Sequence, residues 1–188
     1  PPPPPAQPPP PPPPTPPRAL HDALPISQEV ADLLGPAYTE PALMWQNAAV
    51  AAETAAAAQP DDAFAWFNLG ASLTELARLK EEAALYSAAA TAFDQSRLVG
   101  LPPRMMWYQF QPYDAYIHSG RIDEALALAS AVMQSDGGWH VEESHYYQGA
   151  AYQAAGNLDL ARPAYKRALD IKPRYPAAEQ ALKQNSAG

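Results

Sequence analysis

The sequence predicts an all-α fold: a right-handed α-solenoid of about three helix pairs with a terminal capping helix. Two observations carry this. A ten-residue pattern recurs at an offset of 36 residues, and each copy holds a glycine where a helix should stop. A third supports it: one helix pair cannot bury its own apolar face, so pairs must stack.

The repeat is read directly. Tyr116, Gly120, Ile122, Asp123 and Ala125 recur as Tyr152, Gly156, Leu158, Asp159 and Ala161. The register continues from Ala129 to Tyr165 and from Val132 to Ala168. An earlier, looser copy runs from Trp66 through Leu69, Gly70 and Leu73 to Ala83. Gly120 and Gly156 are expected to end the first helix of each pair, because glycine takes the left-handed cap conformation without a Cβ penalty. The Asp or Asn that follows can cap the second helix. Ala125 and Ala161 are small because the paired helix crosses there, and Tyr116 and Tyr152 fill the space beside the crossing.

The spacing is not uniform. Gly137, Gly138, Trp139 and His140 read as a lengthened connection. Leu73 and Tyr116 are 43 apart, which is expected to reflect a long second helix from about Leu79 to Arg97, stopped by Gly100, Leu101, Pro102 and Pro103. Pro112 falls inside a first helix and should kink or restart it, and Tyr113 occupies a position that is small elsewhere. Pro163 poses a similar problem in the last unit. These two prolines are where the regular pattern is expected to fail first. Upstream, Ala48, Ala52, Ala55 and Pro60, followed by Asp61 and Asp62, suggest a partial helical unit over 28–60. A helix from about Pro176 to Asn185 is expected to close the repeat domain of 61–185, with 186–188 disordered.

These residues resemble the tetratricopeptide repeat. The family's Trp-x-x-Leu-Gly-x-x-Tyr signature is matched by Trp66, Leu69, Gly70 and Leu73. The third unit matches best, with Gly149, Tyr152, Gly156, Leu158, Ala161, Tyr165, Ala168 and Pro173. The resemblance spans roughly 42–185 and implies a non-catalytic scaffold whose first helices line a concave, peptide-receiving surface. Carried over residue by residue, that surface would comprise Phe64, Phe67, Ala71, Thr74 and Glu75, then Trp107, Phe110, Asp114, Ile117 and His118, then Glu143, Tyr146, Ala150, Gln153 and Ala154. The first helices contribute no Lys or Arg in this reading, so the carboxylate clamp of chaperone-binding members is not implied. A neutral, apolar or basic extended segment fits better, with aromatic anchors. Trp107, Tyr108, Phe110, Tyr113 and Tyr116 fall within ten residues, so a helix cannot point them all one way and some must be core.

A narrower resemblance concerns residues 63–70, 100–110 and 142–147. These are similar to the C-terminal repeat region of bacterial double-glycine-type cysteine peptidase-like proteins. That resemblance implies an accessory domain of an exported parent, docking substrate or a catalytic domain this chain does not contain.

Composition removes several chemistries. There is no cysteine, so disulfides, thiolate metal sites and cysteine nucleophiles are excluded. No apolar run approaches the ~20 residues of a membrane helix. Residues 22–159 carry a net charge of −13 and residues 160–188 a net +4. The acidic body argues against nucleic acid, and the basic end (Arg162, Lys166, Arg167, Lys172, Arg174) reads as cations at a helix C-terminus. His140 and His145 stand five apart, which does not place two imidazoles on one helical face; Glu142 and Glu143 read as dipole-favoured acids at a helix start. Asp61 with Asp62, Glu81 with Glu82, and Asp123 with Glu124 read as residues of helix starts or outer faces rather than acid–base pairs. No nucleophile elbow or phosphate loop is present. Neither catalysis, metal nor cofactor is expected.

Fourteen of the 24 prolines lie in residues 1–17. Such a run lacks backbone donors and favours a solvated polyproline path. Residues 18–27 resemble translated sequencing-adaptor sequence from metagenomic reading frames. Residues 1–27 are therefore expected to be a disordered tail of artefactual origin. The competing reading is a genuine proline-rich segment that serves as a ligand for an aromatic groove.

Overall fold

A computed structural model describes residues 40–185. The tail of 1–27, residues 28–39 of the first unit and the terminus 186–188 lie outside the described residues. Within them all regular structure is helical. The order is α1 (Pro41–Ala58), α2 (Ala63–Lys80), α3 (Ala83–Leu98), a 3₁₀ turn (Pro103–Trp107), α4 (Gln111–His118), α5 (Ile122–Gln134), a 3₁₀ turn (Gly138–His140), α6 (Glu142–Ala154), α7 (Leu158–Ile171) and α8 (Pro176–Gln184). Three helix pairs result: α2/α3, α4/α5 and α6/α7. α1 precedes them and α8 closes the stack.

α1 starts at Pro41, whose missing N–H is no loss in a first turn. It turns Ala49, Ala52 and Ala56 inward. Of the alanines marked in the sequence, Ala52 is correct, but Ala48 is half-buried and Ala55 exposed. The inward stripe follows i, i+3, i+7 from Ala49.

α2 is capped by Asp62, which accepts from the Phe64 N–H at 2.8 Å. Trp66 donates from Nε1 to the Pro60 carbonyl at 2.8 Å, fixing the chain's approach. This helix has 18 residues against 13 in α6. The expected start of the second helix at Leu79 is therefore corrected. Leu79 and Lys80 continue α2, and α3 begins at Ala83. No glycine stands at the end of this run, so the helix extends until Glu81 adopts a left-handed φ of 53°.

The later pairs end their first helices on glycine as expected. Gly120 has φ 78° and Gly156 φ 76°. The Arg121 N–H reaches the Tyr116 carbonyl, and the Asn157 N–H reaches that of Tyr152, both at 2.8 Å. These are six-to-one closing bonds that satisfy orphan carbonyls. Asn157 also caps α7 by accepting from the Leu160 N–H at 3.3 Å. Asp123 does not cap; it sits in the first turn of α5, where its charge suits the helix dipole.

The prolines behave differently from one another. Pro112 restarts the helix: the chain makes a 3₁₀ turn, breaks, and resumes as the eight-residue α4 with Pro112 in its first turn. Pro163 does not interrupt α7, contrary to expectation. The carbonyl it leaves without a partner is that of Asp159, an exposed residue whose carbonyl water can serve.

The helix crossings pair a small residue with a large one. A Cβ on Gly70 would meet the Phe93 ring at 2.7 Å, and one on Gly149 would meet Tyr165 at 2.7 Å. In the middle pair the sizes are exchanged. Tyr113 stands where Gly149 does one repeat later, and Ala129 where Tyr165 does; both are fully buried in one core cluster.

Each helix packs on the next in sequence, and α2 touches α4 as α4 touches α6. α3 and α5 make at most marginal contact. First helices therefore gather on the inner side of the stack while second helices splay.

Two outcomes check this account by urea denaturation. Glu81→Gly should stabilise the fold by about 0.5–1 kcal/mol, since glycine removes the left-handed strain. Gly149→Ala should destabilise it by about 1–3 kcal/mol, because neither the α6 backbone nor the buried Tyr165 ring can yield without strain.

Candidate functional site

α4, α6 and α8 enclose a cleft of about 480 Å³. α4 supplies Asp114, Ile117 and His118. α6 supplies Tyr146, Tyr147, Ala150, Gln153 and Ala154. Tyr165 reaches in from α7, and α8 contributes Ala177, Gln180, Ala181 and Gln184. Restarting α4 at Gln111 is what presents Asp114 and His118 on this face, one turn apart.

The floor is an aromatic layer. Tyr113 stacks on Tyr147 with centroids 4.8 Å apart and rings nearly parallel. Tyr147 meets Tyr146 edge-on at 5.1 Å, and Tyr146 leans on Tyr165 and Tyr175. Burial pushes the phenols of Tyr146, Tyr147, Tyr165 and Tyr175 up, so all stay neutral at physiological pH. The Tyr165 hydroxyl donates to Gln153 Oε1 at 2.7 Å, and Asn185 Nδ2 donates to the same atom at 3.1 Å. These two bonds hold Gln153 in place and leave its amide N–H groups for the cleft.

Asp114 is the carboxylate of the lining. Arg78, on the last turn of α2, donates to its Oδ2 at 2.8 Å and to Glu75 Oε2 at 2.5 Å. Burial raises the Asp114 pKa, opposed by the Arg78 guanidinium and by His118. Arg78 corrects the expectation of a cation-free inner face: because α2 runs on to Lys80, it brings a guanidinium beside the cleft. His118 stacks on Tyr86 of α3 at 4.7 Å.

Of the positions carried over from the repeat pattern, Asp114, Ile117, His118, Tyr146, Ala150, Gln153 and Ala154 come together here. The others do not. Phe67 is core, 5.3 Å from Phe93. Thr74 is fully buried and bonds back to the Gly70 carbonyl at 2.8 Å. Phe64 is exposed on the first turn of α2, away from the cleft lining. Glu75 is held by Arg78 outside the lining. Trp107 lies in the 3₁₀ turn, where it packs on Gly137 and donates to Ser135 Oγ at 3.3 Å. Phe110 stacks on Tyr147 from behind the lining at 5.8 Å. Glu143 sits beside Lys172 at 3.9 Å, at the start of α6.

Sequence reasoning missed the α8 wall. Its signal was available: Ala177, Gln180, Ala181 and Gln184 follow i, i+3, i+4, i+7 and form one face. Reading α8 only as a cap hid its second role. His145, half of the histidine pair, is buried; its Nε2 lies 3.0 Å from the Trp139 carbonyl, and burial lowers its pKa. Among the described residues no three acidic or histidine side chains cluster as metal ligands would.

The stacked pairs with an inner cleft define a helical-repeat protein. Residues 142–175, which hold α6 and α7, match the tetratricopeptide repeat family. Together with the all-helical architecture, this match supports a tetratricopeptide-repeat identification. No curated protein matches it. Repeats of this family generally act as non-catalytic mediators of protein interaction. None of the described helices is long and apolar enough to cross a membrane.

The raised Asp114 pKa has a measurable sign. Between its ordinary value and the raised one, the folded chain holds a proton the unfolded chain has lost, so this residue's contribution to stability falls as pH rises through that window. The stability of the parent relative to Asp114→Asn should therefore be higher near pH 4 than at pH 7 in urea denaturation. Equal differences at both pH values would contradict the assignment.

Proposed function

We propose that this chain is a non-catalytic scaffold that binds an extended protein or peptide segment in the cleft between α4, α6 and α8. The observation that carries the reading is the cleft's composition: three successive inner elements contribute to one concavity. Its aromatic floor offers apolar contact area at low entropic cost. Its rim carries Gln153, Gln180 and Gln184, whose carboxamides both donate and accept. That combination suits an extended backbone, which presents alternating N–H and C=O groups with no partners of their own.

The acidic body disfavours a nucleic-acid partner, because a phosphate backbone requires clustered cations. The titratable groups of the cleft are already spoken for. Asp114 is paired to Arg78, His118 stacks on Tyr86 and the tyrosines are held neutral, an arrangement that suits binding better than acid–base or nucleophilic chemistry.

Panning a random heptapeptide phage library on the purified chain tests the reading. Enriched peptides should protect α4, α6 and α8 from hydrogen exchange. The Gln180→Ala/Gln184→Ala double variant should bind them about tenfold more weakly, two lost backbone hydrogen bonds at ~0.5–1.5 kcal/mol each. A footprint confined to α1–α3, or no enrichment, would contradict it.

A further inference from the structure

We infer that the peptide segment taken by this cleft carries a basic side chain, arginine or lysine, seated against Asp114. The inference rests on the peptide-binding reading and adds a specificity to it. Two carboxylates, Glu75 and Asp114, share one guanidinium, that of Arg78. The cluster therefore holds a net negative charge at the end of the cleft.

Arg78 engages Asp114 through Oδ2. Among the described residues no donor reaches Oδ1, although burial of the carboxylate already disfavours its charge. A second cation at Oδ1 relieves that cost, and a charge-assisted hydrogen bond in a part-buried site is stronger than a neutral one. The walls suit the stem of such a side chain. Ile117 and Ala150 offer apolar surface for its methylenes. The phenol of Tyr146 offers a ring face for the cation. An acidic segment would instead meet Asp114 and Glu75 with like charge, and a neutral one would leave Oδ1 unpaired.

The test is calorimetric, on the full chain. The probes are two blocked heptapeptides identical except at the centre, Ac-Gly-Ala-Leu-Arg-Leu-Ala-Gly-NH₂ and its citrulline counterpart, which matches arginine in length and shape without the charge. The arginine peptide should bind about tenfold more tightly, and the advantage should vanish in Asp114→Asn. Thermal melting confirms that this variant is folded. If it is not, the same advantage should vanish for the parent chain in high salt, where the pairing is screened. Equal affinity of the two peptides would overturn the basic-residue assignment and leave the peptide cleft standing. An arginine advantage that survives Asp114→Asn would overturn the role of Asp114. Binding by neither peptide would remove the assignment together with the peptide-binding reading beneath it.

Discussion

The structure depends on close helix crossings, and in the first and last pairs the crossing places a glycine opposite an aromatic ring. Gly70 accepts Phe93 and Gly149 accepts Tyr165; in both cases a single Cβ would overlap the ring. Interiors pack at crystal density, so such a contact tolerates no added atom without a shift. At the corresponding positions of the middle pair the sizes are exchanged, with Tyr113 on the first helix and Ala129 on the second, both buried in one core cluster. That exchange reaches the cleft. Because the large residue sits on α4, its ring stacks on Tyr147, and Tyr147 and Tyr146 form the aromatic wall of the cleft.

The second structural decision is where each first helix stops. Glycine stops α4 and α6, and the turn that follows is closed by two backbone bonds. The first pair has no glycine there. Its helix runs further and ends on a strained Glu81. The longer α2 has one consequence at the cleft: its last turn carries Arg78 to Asp114, and the charge of the site is set by that reach.

Much of this was legible in the sequence, and the failures have physical causes. The repeat register placed Gly120, Gly156, Ala125, Ala161 and the closing helix correctly, since glycine caps and small crossing residues are local requirements. Position within a repeat was a good guide to the cleft where the repeat is regular. Asp114 lies beyond the restart at Pro112, and Tyr146 and Gln153 lie in the best-matched unit. It failed for Phe67, which packs on Phe93, and for Thr74, which is buried and bonds back to the Gly70 carbonyl; both lie on the core face of α2. It failed for Trp107 because the chain there is a 3₁₀ turn, so helical spacing no longer says which way a side chain points. Pro163 was over-read: a proline near a helix start removes one bond whose carbonyl water can serve, and the helix continues. The α8 wall was missed because a capping helix was assigned a single role.

The central claim is that complementary size at the crossing, not the identity of either residue, holds each pair together. A double-mutant cycle on Tyr113→Gly and Ala129→Tyr tests it most directly, since the double variant restores the arrangement of the flanking pairs. Each single change should destabilise the fold by roughly 2–4 kcal/mol, from a cavity in one case and overpacking in the other. The double variant should recover most of that loss, with a coupling energy above about 1 kcal/mol. Additive losses would show that the two positions do not share one packing site and would contradict the account.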